Sequence, residues 1–105
     1  MTAVRVCETK DVPPGGARRY SIDGREVAVV NLGGEGFRAL DAICSHAKYY
    51  LDEGEVDVDT ETIECPKHGS TFDLRTGEPQ ALPATEPVPV YEVKVNGDDV
   101  VVTLP

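Results

Sequence analysis

The apolar residues of this chain come in short alternating runs, and each run meets a turn signal before any helical period is established. Val4 to Cys7 reads as a first strand, stopped by Pro13-Pro14-Gly15-Gly16. Arg18 to Ile22 and Glu26 to Leu32 follow, joined by Asp23-Gly24, a dipeptide suited to the positive φ angles of a tight hairpin. Gly33-Gly34-Glu35-Gly36 then turns the chain into Phe37 to Ile43. Near the end Tyr91, Val93 and Val95 alternate with polar residues, and Asn96-Gly97 leads into Val100 to Leu104. No window carries a 3.6-residue apolar period over three turns. The sequence therefore predicts an all-β fold, a small antiparallel sandwich or barrel.

The length of 105 residues is that of one domain, 1–105, with an adequate but not generous core. Ten Gly and eight Pro, spread along the chain, agree with many turns and short strands. Nineteen acidic against ten basic residues leave a net charge of −9, which argues against nucleic acid and anionic membranes as partners. The longest apolar runs, such as Val27-Ala28-Val29-Val30, are far too short to cross a bilayer. MTAVRVCETK has no basic segment followed by an apolar stretch, so the expected location is the cytoplasm.

The middle of the chain reads differently. From about Cys44 to Pro83 the alternation weakens and Gly, Pro, Cys, His and charged residues dominate. The expectation is a subdomain inserted into the β framework and organised by a bound metal centre instead of an apolar core. Three cysteines in a cytosolic chain point to metal or redox chemistry before disulfides, and each of the two histidines lies close to a cysteine.

Those residues form the pattern Cys44-Ser45-His46, eighteen residues, then Cys65-Pro66-Lys67-His68-Gly69. Each half puts one thiolate and one imidazole on a tight loop. Two cysteines and two histidines also suit tetrahedral zinc, although zinc fingers usually pair Cys with Cys and His with His. The surroundings weigh against zinc. With Gly69-Ser70-Thr71-Phe72-Asp73-Leu74-Arg75-Thr76-Gly77-Glu78 and Leu82-Pro83-Ala84-Thr85-Glu86-Pro87 included, the chain resembles the Rieske ferredoxin family over nearly its whole length.

The resemblance implies one [2Fe–2S] cluster, with Cys44 and Cys65 on one iron and His46 and His68 on the other through Nδ1. Two neutral imidazoles in place of two thiolates leave the oxidised site without net charge. An electron is then easier to add, and the potential rises from about −400 mV to roughly −150 to +300 mV. Family members in respiratory and photosynthetic cytochrome complexes carry an extra cysteine in each loop. Tyr49 and Lys67 stand at those positions here, so that bridge is excluded and the chain resembles the soluble ferredoxins of Rieske-type oxygenases. Ser70 matches a hydroxyl that donates to a cluster sulfide in high-potential relatives, whereas Phe72 stands where they have a tyrosine. An intermediate potential is expected.

Cys7 has no neighbouring histidine and reads as a small buried hydrophobe. Asp52, Glu53, Glu55, Asp57, Asp59 and Glu61 read as a solvated face. Tyr49 and Tyr50 suit either a docking face or ordinary packing, and Lys48 and Lys67, which flank the histidines, suit either docking or simple surface roles. There is no glycine-rich nucleotide loop and no further histidine for a mononuclear iron. The function expected from the resemblance is one-electron transfer from a flavin-dependent reductase to a terminal oxygenase, without catalysis by the chain itself. A redox or iron sensor, an accessory protein of iron–sulfur assembly and a small subunit of a nitrite-reductase-like complex remain as alternatives.

Overall fold

The computed structural model describes residues 2–44, 49–66, 69–80 and 86–104. The described strands are β1 (Thr2–Glu8), β2 (Ala17–Ile22), β3 (Arg25–Asn31), β4 (Phe37–Asp41), β5 (Val56–Asp57), β6 (Thr62–Glu64), β7 (Thr71–Asp73), β8 (Val90–Asn96) and β9 (Asp99–Leu104). Six of them form one sheet in the order β1-β9-β8-β4-β3-β2, and β5-β6-β7 form a second. All the described pairings are antiparallel. The turn between β2 and β3 takes φ 49° at Asp23 and 81° at Gly24, and that between β8 and β9 takes 62° at Gly97. These are the conformations for which Asp-Gly and Asn-Gly pairs are suited.

β3 explains the longest apolar run. Because side chains alternate across a strand, a run without polar interruption belongs to a strand covered on both faces. Val27 and Val29 point into a first cluster with Cys7, Val12, Ile22, Ala39, Val100, Val102 and Leu104, between the curled ends of the large sheet. Ala28 and Val30 point the other way, into a second cluster with Leu32, Leu40 and Ala42. β4 divides in the same manner, Ala39 to one side and Leu40 to the other.

The second cluster also contains Leu51, Ile63, Phe72, Leu74 and Val88, so the inserted region does have an apolar core. This corrects the expectation that a metal centre alone organises it. The outer face of β3 and β4 is the floor on which β5, β6 and β7 rest. Leu51, Ile63 and Phe72 are fully buried there, and each such side chain contributes roughly 1.5–3 kcal/mol of transfer free energy. Among the described residues, no helix is long and apolar enough to cross a membrane.

Candidate metal centre

Two loops rise from that floor, each closed at its base by backbone hydrogen bonds. At the first, Leu51 N–H donates to Ala42 O at 2.6 Å, Ile43 forms a β-bridge with Tyr50, and Cys44 N–H donates to Tyr49 O at 2.9 Å. At the second, β6 and β7 pair through Glu64 and Thr71, and Cys65 N–H donates to Ser70 O at 2.6 Å. Gly69, at φ 74°, turns back so that its N–H meets Cys65 O at 3.1 Å. A side chain at that angle would be strained, which explains the glycine after His68 in the sequence.

Cys44 and Cys65 stand at the bases of these loops, both buried, and both belong to the second apolar cluster. The chain's cysteines are thiols, and no disulfide joins them. His46 and His68 lie outside the described residues, as do Lys48 and Lys67. Two soft sulfur donors, buried in one apolar cluster and each followed within three residues of sequence by a histidine, fit an iron–sulfur centre of mixed ligation. Ser70 is fully buried beside Cys65, and Phe72 is fully buried in the same cluster. Cys7 lies in the first cluster, across the sheet from the other two cysteines, and burial pushes its thiol pKa up. It is a core residue, as its sequence setting predicts.

Between the loop bases sits a short 3-10 turn, Leu51–Glu53, followed by Gly54. A methyl carbon added at Gly54 would lie 1.6 Å from the Glu64 carbonyl oxygen, so the turn lies directly against the strand leading to Cys65. β2 reaches the same turn from the large sheet. The Arg19 guanidinium carbon is 3.5 Å from the centroid of the Tyr50 ring, and its Nη1 is 3.7 Å from Asp52 Oδ1. Asp52 Oδ1 is buried and accepts no hydrogen bond among the described residues. Burial pushes the Asp52 carboxyl above its ordinary range, and the positive charge of Arg19 only partly opposes this.

The acidic stretch therefore divides. Glu53, Glu55, Asp57 and Asp59 are exposed, as expected of a solvated face. Asp52 and Glu61 are instead partly buried ion-pair members, Glu61 bonded to Arg38 at 3.2 Å. Sequence reasoning missed both pairs and the role of Arg19. The only available signal was a run of two arginines on an otherwise ordinary strand. Tyr50 is half-buried under Arg19, whereas Tyr49 is 38% exposed and Ile43 45% exposed.

The Rieske [2Fe-2S] domain model matches residues 2–92. The chain is 42% identical over its whole length to the ferredoxin subunit of 3-phenylpropionate/cinnamic acid dioxygenase of Shigella boydii, covering 96% of that protein. Its structure is similar to the ferredoxin of carbazole 1,9a-dioxygenase from Nocardioides aromaticivorans IC177, with a TM-score of 0.91, 42% identity and 97% of each chain covered. It is also similar to a chain in a complex of reduced oxygenase and oxidized ferredoxin of carbazole 1,9a-dioxygenase. That match has a TM-score of 0.86 and 39% identity, covering 95% of this chain and 91% of the other. With residues 2–92 matched, and with two buried thiols ready at the bases of paired loops, the chain belongs to the Rieske [2Fe–2S] family, whose cofactor is one [2Fe–2S] cluster.

Proposed function

We propose that this protein is the ferredoxin component of a Rieske-type oxygenase system, a one-electron carrier and not its catalytic subunit. The single observation that carries this reading is the similarity to dioxygenase ferredoxins over at least 96% of both chains. On this reading Cys44 and Cys65 hold one iron, and His46 and His68 the other. The ligands belong to a subdomain of about 44–83 within one domain, 1–105. The cluster, when bound, supplies a site that takes up and releases one electron at a potential above that of four-cysteine ferredoxins.

The chain's own residues then do three things. Cys44 and Cys65 supply thiolates from a dry setting, because the second apolar cluster surrounds them. Ser70, buried beside Cys65, supplies a hydroxyl at the second loop. Exposed Ile43 and Tyr49 border the first loop and offer apolar contact to a partner without committing to a permanent interface. The acidic surface, with a net charge of −9, favours partner surfaces of basic character.

The donor on this reading is a flavin-dependent reductase, the acceptor a terminal oxygenase, and the setting the cytoplasm, with neither nucleic acid nor membrane involved. The test is a two-stage stopped-flow experiment with a flavin-dependent reductase and a Rieske-type terminal oxygenase from the same genome. Reduction by the reductase, then reoxidation on mixing with the oxidised oxygenase at rates compatible with turnover, is expected. A reduced protein that the oxygenase does not reoxidise would remove the carrier role.

A further inference from the structure

Arg19 is remote in sequence from every expected ligand, yet it touches the turn that separates the two loop bases. It belongs to β2, at the edge of the large sheet, where it pairs with Ala28. Its guanidinium covers the Tyr50 ring at 3.5 Å and approaches Asp52 Oδ1 at 3.7 Å and Glu26 Oε2 at 4.0 Å. Tyr50 bridges Ile43, the residue before Cys44, and Leu51 is bonded to Ala42. On its other side the same turn meets the Glu64 carbonyl through Gly54, one residue before Cys65. One side chain of the large sheet thus bears on a turn that contacts both loop bases.

The chemistry of the contact suits a brace. A planar, permanently charged guanidinium over an aromatic face is worth more where water is partly excluded. The Asp52 side chain is only 13% exposed, so removing Arg19 would leave a partly buried carboxylate without its cation. The turn would then relax toward water and take Tyr50, and with it the first loop base, along.

We propose that Arg19 is a positioning residue for the metal centre: from the edge strand of the large sheet it holds the Tyr50–Gly54 turn that spaces the two ligand loops. The proposal rests on the assignment of Cys44, His46, Cys65 and His68 as ligands. It makes no direct contact with the cluster necessary. Arg18, the preceding residue on β2 and exposed like Arg19, carries the same charge on the opposite face of the strand and serves as the control.

The test uses the iron-loaded protein and compares wild type with Arg19→Ala, Arg19→Met and Arg18→Ala. Arg19→Met keeps the apolar stem over the sheet, so it carries the test if Arg19→Ala does not fold. Two readouts are taken: the rate of bleaching by an iron chelator, and the g values of the reduced protein. Both Arg19 variants should lose iron roughly two- to tenfold faster than wild type, the range expected for a partly desolvated cation–π contact. Their g values should shift, while Arg18→Ala matches wild type in both readouts. Equal release rates and spectra across the set would overturn the proposal. So would Arg19 variants with lower melting temperatures but unchanged release and spectra, because that is a general loss of stability. A wild-type protein that binds no iron would instead fail the ligand assignment, and this proposal with it.

Discussion

Replacing Gly54 with alanine isolates the packing of the turn between the two cysteine-bearing loops. Gly54 has φ −88°, a conformation open to any residue, so backbone strain is not the reason for glycine here. The reason is space: an alanine Cβ would lie 1.6 Å from Glu64 O and 2.8 Å from its carbonyl carbon, whereas real Cβ contacts essentially never fall below 3.0 Å. The two backbones must therefore part by more than 1 Å. Neither has a rotamer to escape into, and the Glu64 N–H is already tied to Glu55 O at 2.8 Å. Overpacking typically costs about 1–3 kcal/mol, and the rigidity of both partners puts this case at the upper end. For a domain of this size each kcal/mol corresponds to roughly 4–8 °C in Tm. Gly24→Ala is the comparison, since Gly24 has φ 81° and nothing within 4 Å of an added Cβ. It should cost only the left-handed backbone penalty, about 1–2 kcal/mol. Thermal scans followed by the visible absorbance of the bound cluster should show Gly54→Ala losing colour well below Gly24→Ala. Equal midpoints would refute the claim that the turn and the Cys65 strand are locked backbone to backbone.

Three further outcomes are expected. Ser70→Ala should lower the midpoint potential by a few tens of millivolts, because one neutral hydrogen bond is worth on the order of 1 kcal/mol and a bond to sulfide favours the reduced state. Protein-film voltammetry would read it, and an unchanged or raised potential would show that the hydroxyl points elsewhere. The Asp52 carboxyl, raised by burial, holds its proton better in the folded than in the unfolded chain, so its ionisation destabilises the fold as pH rises above about 3.9. The stability of Asp52→Asn relative to wild type should therefore climb from pH 4 and level off once pH exceeds the raised value; urea titrations showing a flat or falling difference would contradict this. Cys7, 4% exposed with its thiol pKa raised by burial, should resist alkylation at pH 8 until the chain is unfolded; rapid labelling of the native protein, seen by peptide mass spectrometry, would contradict its core position.

The large sheet was legible because its residues announce themselves locally. Asp23-Gly24 and Asn96-Gly97 mark turns by backbone preference, and Val93, Val95, Val100 and Val102 alternate with the period of a strand. The ends shift by a residue or two: β1 begins at Thr2 instead of Val4, and β4 ends at Asp41 instead of Ile43. The core of the inserted region was not legible. Leu51, Ile63, Phe72 and Leu74 are isolated among charged and turn residues, and they come from different short elements. No single window contains a period, since the pattern exists only after the chain has folded. The same holds for Arg19, Tyr50 and Asp52: alternation along β2 shows that Arg19 has a face, but not what meets it. The site read the other way round. Spacing alone brought Cys44 and Cys65 forward, and the fold puts both thiols into one buried cluster.

The most direct test of the whole account is pulsed electron paramagnetic resonance of the reduced, iron-loaded protein. Two nitrogen couplings from directly bound histidines are expected, together with an average g value below that of a four-cysteine ferredoxin. His46→Ala and His68→Ala should each abolish that signal. A reduced cluster without nitrogen coupling, or a colourless protein holding stoichiometric zinc, would contradict the assignment of Cys44, His46, Cys65 and His68.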